Sequence, residues 1–134
     1  VAWNEPYGIG GHTQLSIPRQ KGCYKCLYKN QYNVASFAAK DQPKPFHKKH
    51  LGCGEVFTPF SALDSCQTAE ITCRLATSFL LNKDQKPQVV SWKGESNEFI
   101  ENGFHLSNRY LKQTTEEMTN LKYDFIDTNC NHCN

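Results

Sequence analysis

The chain has 134 residues, with 38% hydrophobic and 12% aromatic content, a formal charge of +2 and seven cysteines. That length allows one domain with one core, and the aromatic content speaks against a disordered chain. No apolar run approaches the length of a membrane span, so a membrane partner is not expected. The charge is uneven. Residues 1–50 carry eight Lys or Arg against two acids, and residues 51–134 carry seven against eleven. A basic half of this kind suits phosphates, although loop lysines also serve simply as solvated charge.

In chain order, Val1–Gly11 is rich in Gly, Pro and aromatics without periodicity and is predicted as an arm. Residues 1–22 together form an N-terminal arm with one short strand at Thr13–Ile17, stopped by Pro18. Cys23–Tyr28 is a short extended segment. From Asn30, the residues Val34, Phe37 and Ala38 fit one helical face, with Asn30 as cap and an end forced before Pro43. Pro43–Gly54 is a basic loop, Glu55–Phe57 a short strand and Pro59–Ser65 a loop.

Ala69, Ile71, Cys73 and Leu75 then alternate with Glu70, Thr72 and Arg74, the pattern of a half-buried strand. Gln88–Lys93 is a β-branched run, Gly94–Asn97 a turn, and Glu98–Leu106 a further extended stretch. Three consecutive antiparallel strands are expected here, with Glu70 and His105 sharing an open face. Asn108–Lys122 is a marginal helix, with Thr114–Glu117 as a capping box, and Tyr123–Ile126 is a last strand. The expected class is α+β: one main helix packed on a twisted antiparallel sheet, with residues 108–134 as a C-terminal extension.

Seven cysteines with one Met in a short chain is a secreted profile. A chain starting at Val1 fits a mature product, and no Asn-x-Ser/Thr acceptor occurs. Cys23-x-x-Cys26 and Cys130-x-x-Cys133 admit two chemistries. They can form a four-thiolate zinc site with His132 as a spare ligand, or disulfides tying the two ends together. For a secreted chain the disulfides are preferred, with neither metal nor cofactor. Closing a loop of about 100 residues would stabilise by roughly 4–5 kcal/mol on the chain-entropy argument. A further pair is expected among Cys53, Cys66 and Cys73, with Cys73 the candidate for a buried free thiol.

The order of elements, with Tyr24-Lys25-Cys26 before one helix, a strand block and a C-terminal Cys, resembles the RNase-like effectors that powdery mildew fungi secrete into plant cells. Those effectors share the fold of the guanyl-specific fungal ribonucleases. The resemblance covers roughly residues 22–107 and implies a single secreted RNase-like domain over 1–134. It also implies delivery into a host cell, binding of host protein or RNA, and contact with a plant immune receptor. The pattern of the family places His47 and Glu70 in the base positions and His105 as the acid, with Gln88 where an Arg belongs. RNA cleavage by its own 2′-hydroxyl needs a base, an acid and a fixed cation at the phosphorane. Gln88 supplies no charge, so catalysis is expected to be lost or vestigial. An active endoribonuclease using Glu70 and His105 is the alternative, and a zinc-stabilised, cysteine-rich binding protein is a third reading. Lys44, Lys48, Lys49, Arg74 and Trp92 are the candidate RNA or partner contacts, on an expected monomer.

Overall fold

The computed structural model describes residues 1–49, 55–82, 84–112, 119–121 and 125–133; for Lys49 and residues 119–121 it describes the backbone alone. The fold is α+β, with one main helix on a small antiparallel sheet. Strands β1 (Ala2–Asn4), β2 (Gly10–Leu15), β7 (Gln88–Lys93) and β8 (Thr119–Leu121) lie side by side in the order β1-β2-β7-β8. Two small ribbons stand apart from them, β3 (Tyr28–Lys29) with β4 (Tyr32–Asn33) and β5 (Lys48–Lys49) with β6 (Val56–Phe57). The long helix α1 spans Ala62–Leu81, and two short helices follow, α2 (Asn97–Glu101) and α3 (Asn108–Lys112).

Helix α1 takes the place of the strand expected at 69–75. A capping box starts it: the Ser61 hydroxyl accepts from the Asp64 amide at 3.1 Å, and the Asp64 carboxylate accepts from the Ser61 amide at 2.6 Å. Its inward stripe is 64, 65, 68, 71, 72, 75 and 79, a helical period. That stripe mixes the hydroxyls of Ser65, Thr68 and Thr72 with Ile71, Leu75 and Phe79. The Thr72 hydroxyl meets the Thr13 hydroxyl at 2.8 Å, and Trp92 Nε1 donates to Thr68 Oγ1 at 2.8 Å. Hydroxyls and an acid at four of those seven positions weaken the helical hydrophobic period, so the alternation of Ala69, Ile71, Cys73 and Leu75 dominates the sequence pattern.

The other local differences also have physical causes. Asn30 and Gln31 both take positive φ, 51° and 66°, the requirement of a two-residue hairpin turn. Residues 28–33 are therefore a β3–β4 hairpin where a helix is expected. Tyr24–Leu27 winds into a 3-10 turn rather than an extended segment. The arm at 1–11 holds the edge strand β1, and Glu98–Ile100 belongs to α2. Residues 125–126 are not strand, and of the expected helix at 108–122 only Asn108–Lys112 is helical among the described residues. Residues 113–118, with the expected capping box, and residues 123–124 lie outside the described residues. Strand β7 falls where the sequence places it.

The two sheet faces carry different partners. Asn4, Gly11, Thr13 and Trp92 face α1. A Cβ at Gly11 would collide with Thr68 Oγ1 and Trp92 Nε1, so the close approach of helix to sheet requires glycine there. His12 and Ser91 face the opposite way, as the alternation of a strand demands. On that second side lie two apolar clusters. One contains Ile9, Phe37, Ala38, Phe99, Phe104 and Tyr110. The other contains Cys26, Leu27, Ala35, Val89, Phe125 and Cys130.

Candidate metal centre

Cys23, Cys26, Cys130 and Cys133 converge at the edge of the second cluster, with all four sulfurs within 4.8 Å of one another. The turn Cys23–Leu27 is closed by the Cys26 amide donating to the Cys23 carbonyl at 3.0 Å, and the Cys130 amide donates to the Asp127 carbonyl at 3.2 Å. These turns aim both sulfurs of each Cys-x-x-Cys to one point. The segments are moored to the rest of the domain: Gln14 Nε2 donates to the Gly22 carbonyl at 3.1 Å, and Leu27, Val89 and Phe125 pack in one fully buried group.

The disulfides expected here are not formed; all four cysteines are free thiols, as are Cys66 and Cys73. The Sγ separations are 3.6 Å for Cys23–Cys130, 3.4 Å for Cys26–Cys133 and 3.9 Å for Cys23–Cys26. A disulfide needs about 2.05 Å. Four thiolates held about 2.3 Å from a central zinc ion stand about 3.8 Å apart along the edges of the tetrahedron. The donor set and the spacing therefore fit Zn²⁺, against the expectation of no metal. His132 is not part of the set: its Nε2 lies 2.7 Å from Lys25 Nζ. The thiol environment is unequal. Backbone N–H groups of Cys23 and Gly22 directed at its sulfur bring the Cys133 pKa down to about 6, because they stabilise the thiolate. Burial, reinforced by the neighbouring thiols, pushes Cys26 up to about 12.

The resemblance-derived residues do not assemble into a site. Glu70 stands on the exposed side of α1, where its carboxylate accepts from Arg74 Nε at 2.9 Å and Nη2 at 2.6 Å, an i,i+4 pair. His105 lies across the sheet. Its carbonyl accepts from the Ala39 amide at 2.8 Å, and Ala38 bridges to Leu106 within the first apolar cluster. His47 is exposed, with its Nδ1 3.5 Å from the Thr58 hydroxyl. Gln88 is buried and donates to Gln85 Oε1 at 3.0 Å. Trp92 is 4% exposed beneath α1 and has no face free for a base. Lys44 and Lys48 lie over the rings of Phe104 and Tyr7, at 5.2 and 4.8 Å from the centroids. The side chain of Lys49, and Cys53, lie outside the described residues. Cys66 and Cys73 are both exposed on α1, so Cys73 is not the buried thiol expected.

A second titratable cluster escapes sequence reasoning. Arg109 Nη2 donates to Ser91 Oγ at 3.0 Å, Ser91 Oγ lies 2.7 Å from His12 Nδ1, and His12 Nε2 lies 2.9 Å from Glu5 Oε1. With Arg109 a permanent donor, the Ser91 proton goes to His12 Nδ1, and the imidazole carries its own proton on Nε2 toward Glu5. The His12 ring lies between Trp3 and Phe37, with centroids at 4.9 and 4.8 Å. Burial pushes the His12 pKa down, against the pull of Glu5. Burial alone would raise Glu5, but hydrogen bonds from His12 and the Phe37 amide hold it below its ordinary value. Arg109 is brought down to about 10 by burial, with the Glu5 charge opposing. Serine, histidine and glutamate have the composition of a hydrolase triad, yet Ser91 and His12 are 0% exposed and no substrate carbonyl can reach the hydroxyl. The network is architectural. It ties β1–β2, β7, α3 and the Phe37 segment through one line of satisfied polar groups.

No family model, curated protein or solved structure matches the chain.

Proposed function

We propose that this chain is a zinc-closed binding domain, in which the four-thiolate site is structural. The observation that carries this reading is the convergence of Cys23, Cys26, Cys130 and Cys133, all four sulfurs within 4.8 Å. Four protein thiolates saturate a tetrahedral zinc ion and leave no position for water or substrate, unlike the open site of a zinc enzyme. The ion would join two stretches of chain that are 107 residues apart and hold the second apolar cluster shut. Host protein or RNA, the partner class implied by the effector resemblance, is proposed on that resemblance and on the basic N-terminal half. The nuclease alternative lacks a converging acid and base, since Glu70 and His105 lie on opposite sides of the sheet.

The test is elemental analysis of the purified chain with intact mass under native and denaturing conditions. One zinc per chain, with all thiols titratable after denaturation, is the expected result. A mass four hydrogens lighter than the reduced chain, with no metal, would replace the zinc centre by two disulfides.

A further inference from the structure

A cleft of about 740 Å³ lies between the entry to α1 and the turn joining β7 to α2, a volume in the range of ligand sites. Its floor forms where two turns touch: a Cβ at Gly94 would strike the Gly8 carbonyl and press on the Trp92 ring. The Tyr7 amide donates to the Pro59 carbonyl, which fixes the Tyr7–Gly8 corner to the chain entering α1. Tyr7 takes φ 56°, a left-handed value that a bulky residue keeps only where its surroundings hold it. Aromatic rings wall the cleft. Trp92 is buried and Tyr7 half-buried, while Phe57 and Phe60 are 39% and 47% exposed. Two phenylalanines left in water beside one concavity suit a contact surface.

Charge identifies the occupant. Asp64, Glu95, Glu98 and Glu101 also line the cleft, and among the described residues that line it there is no Lys, Arg or His. None of the four carboxylates is in an ion pair among the described residues. Asp64 is engaged by the Ser61 amide, which leaves the three glutamates to meet a partner. Glu98 and Glu101 stand three apart on α2 and share a face. The whole chain carries +2, so this acidic rim is a local reversal of charge rather than part of a general field. The rings favour the same ligand, because aromatic faces attract cations. One cation already stands there: Lys48, paired across the β5–β6 ladder with Phe57, sets its Nζ 4.8 Å from the Tyr7 centroid. Walls this open to water do not enclose a small molecule, but they accept a side chain projecting from a larger partner. We propose that the cleft docks an arginine- or lysine-bearing segment of a partner protein, its alkyl stem on Phe57 and Phe60 and its charge on Glu98 and Glu101. This rests on the binding-domain reading but not on the zinc, since Trp92 and the thiolate-side Val89 lie toward opposite ends of β7.

The test titrates the whole chain, as purified and at low salt, with an acetylated, amidated hexapeptide alternating Arg and Gly, read by calorimetry and by backbone-amide NMR shifts. Saturable binding with shifts at Gly8, Gly94 and Glu98 is expected. Glu98→Gln with Glu101→Gln should weaken it about tenfold at unchanged circular dichroism, and Phe60→Ser should weaken it as well. Glu70→Gln with Asp84→Asn removes two charges elsewhere on the surface and should leave it unchanged. Absence of binding at near-millimolar peptide overturns the proposal. So does binding that the Glu98 and Glu101 substitutions leave intact, or that the control pair weakens equally. Spermidine, a trication like the peptide, bound as tightly would overturn the assignment to a protein segment. A hexapeptide alternating Glu and Gly bound as tightly would overturn the role of charge. Zinc is measured on the same sample, so a chain that holds zinc and binds no basic peptide fails this proposal alone.

Discussion

Cys26 Sγ lies 3.4 Å from Cys133 Sγ, across 107 residues of chain. The contact brings the C-terminal turn against the 3-10 turn at Tyr24–Leu27, and with them Leu27 and Phe125, both fully buried. On the zinc reading proposed above, removing the metal would leave thiols crowded at the edge of an apolar cluster. Chelation by a strong zinc ligand should therefore lower the melting temperature sharply, and Cys130→Ser should behave like the chelated protein. Structural zinc sites contribute on the order of 10 kcal/mol of apparent binding free energy in small domains. Differential scanning calorimetry with and without chelator checks this, and equal melting temperatures would refute it.

Acidification should destabilise the fold through His12 and Glu5. Both folded-state pKa values are depressed, so the unfolded chain binds more protons than the native one and stability rises with pH. The His12 contribution is lost as pH falls from the ordinary histidine value of 6.5 towards its folded value. The Glu5 contribution is lost below the ordinary 4.5, as pH falls through its lower folded value. Thermal unfolding from about pH 2 to 8 should show both, and His12→Gln should flatten the upper limb and also weaken the lower one, because the His12 contact that holds Glu5 down is changed.

Ser91→Ala should cost about 1–3 kcal/mol, the range for leaving buried partners unpaired. The Arg109 Nη2 donor and His12 Nδ1 both lose this contact. Denaturant titration measures the loss, and zinc content should not change. Arg109→Leu should be worse, because the Ala35 carbonyl as well as Ser91 Oγ would lose its guanidinium donor.

Gly11→Ala should destabilise by about 1–3 kcal/mol through overpacking, since the new methyl would press on Thr68 and Trp92. The readout is Trp92 fluorescence together with the denaturation midpoint. A variant as stable as the parent would mean that α1 is free to lift from the sheet.

Glu70→Ala should cost no more than about 0.5 kcal/mol, as an exposed i,i+4 pair dictates. Total RNA incubated with the parent, Glu70→Ala and His105→Ala chains should give three identical profiles. Cleavage by the parent that both substitutions abolish would restore the nuclease reading.

Sequence alone determined the α+β class, the strand at Gln88–Lys93 and the pairing of the two Cys-x-x-Cys motifs, because local spacing and composition carry those signals. The identity of α1 was hidden, since its inward face interleaves Ile71, Leu75 and Phe79 with Ser65, Thr68 and Thr72, whose burial depends on partners in β1, β2 and β7. Tertiary structure also brought the four sulfurs within 4.8 Å of one another, separations that spacing does not encode. The Arg109–Ser91–His12–Glu5 line joins residues from distant parts of the chain, each ordinary in its own segment. Only the packing of two sheet strands against α3 brings them within hydrogen-bond reach, and only burial makes their charges matter.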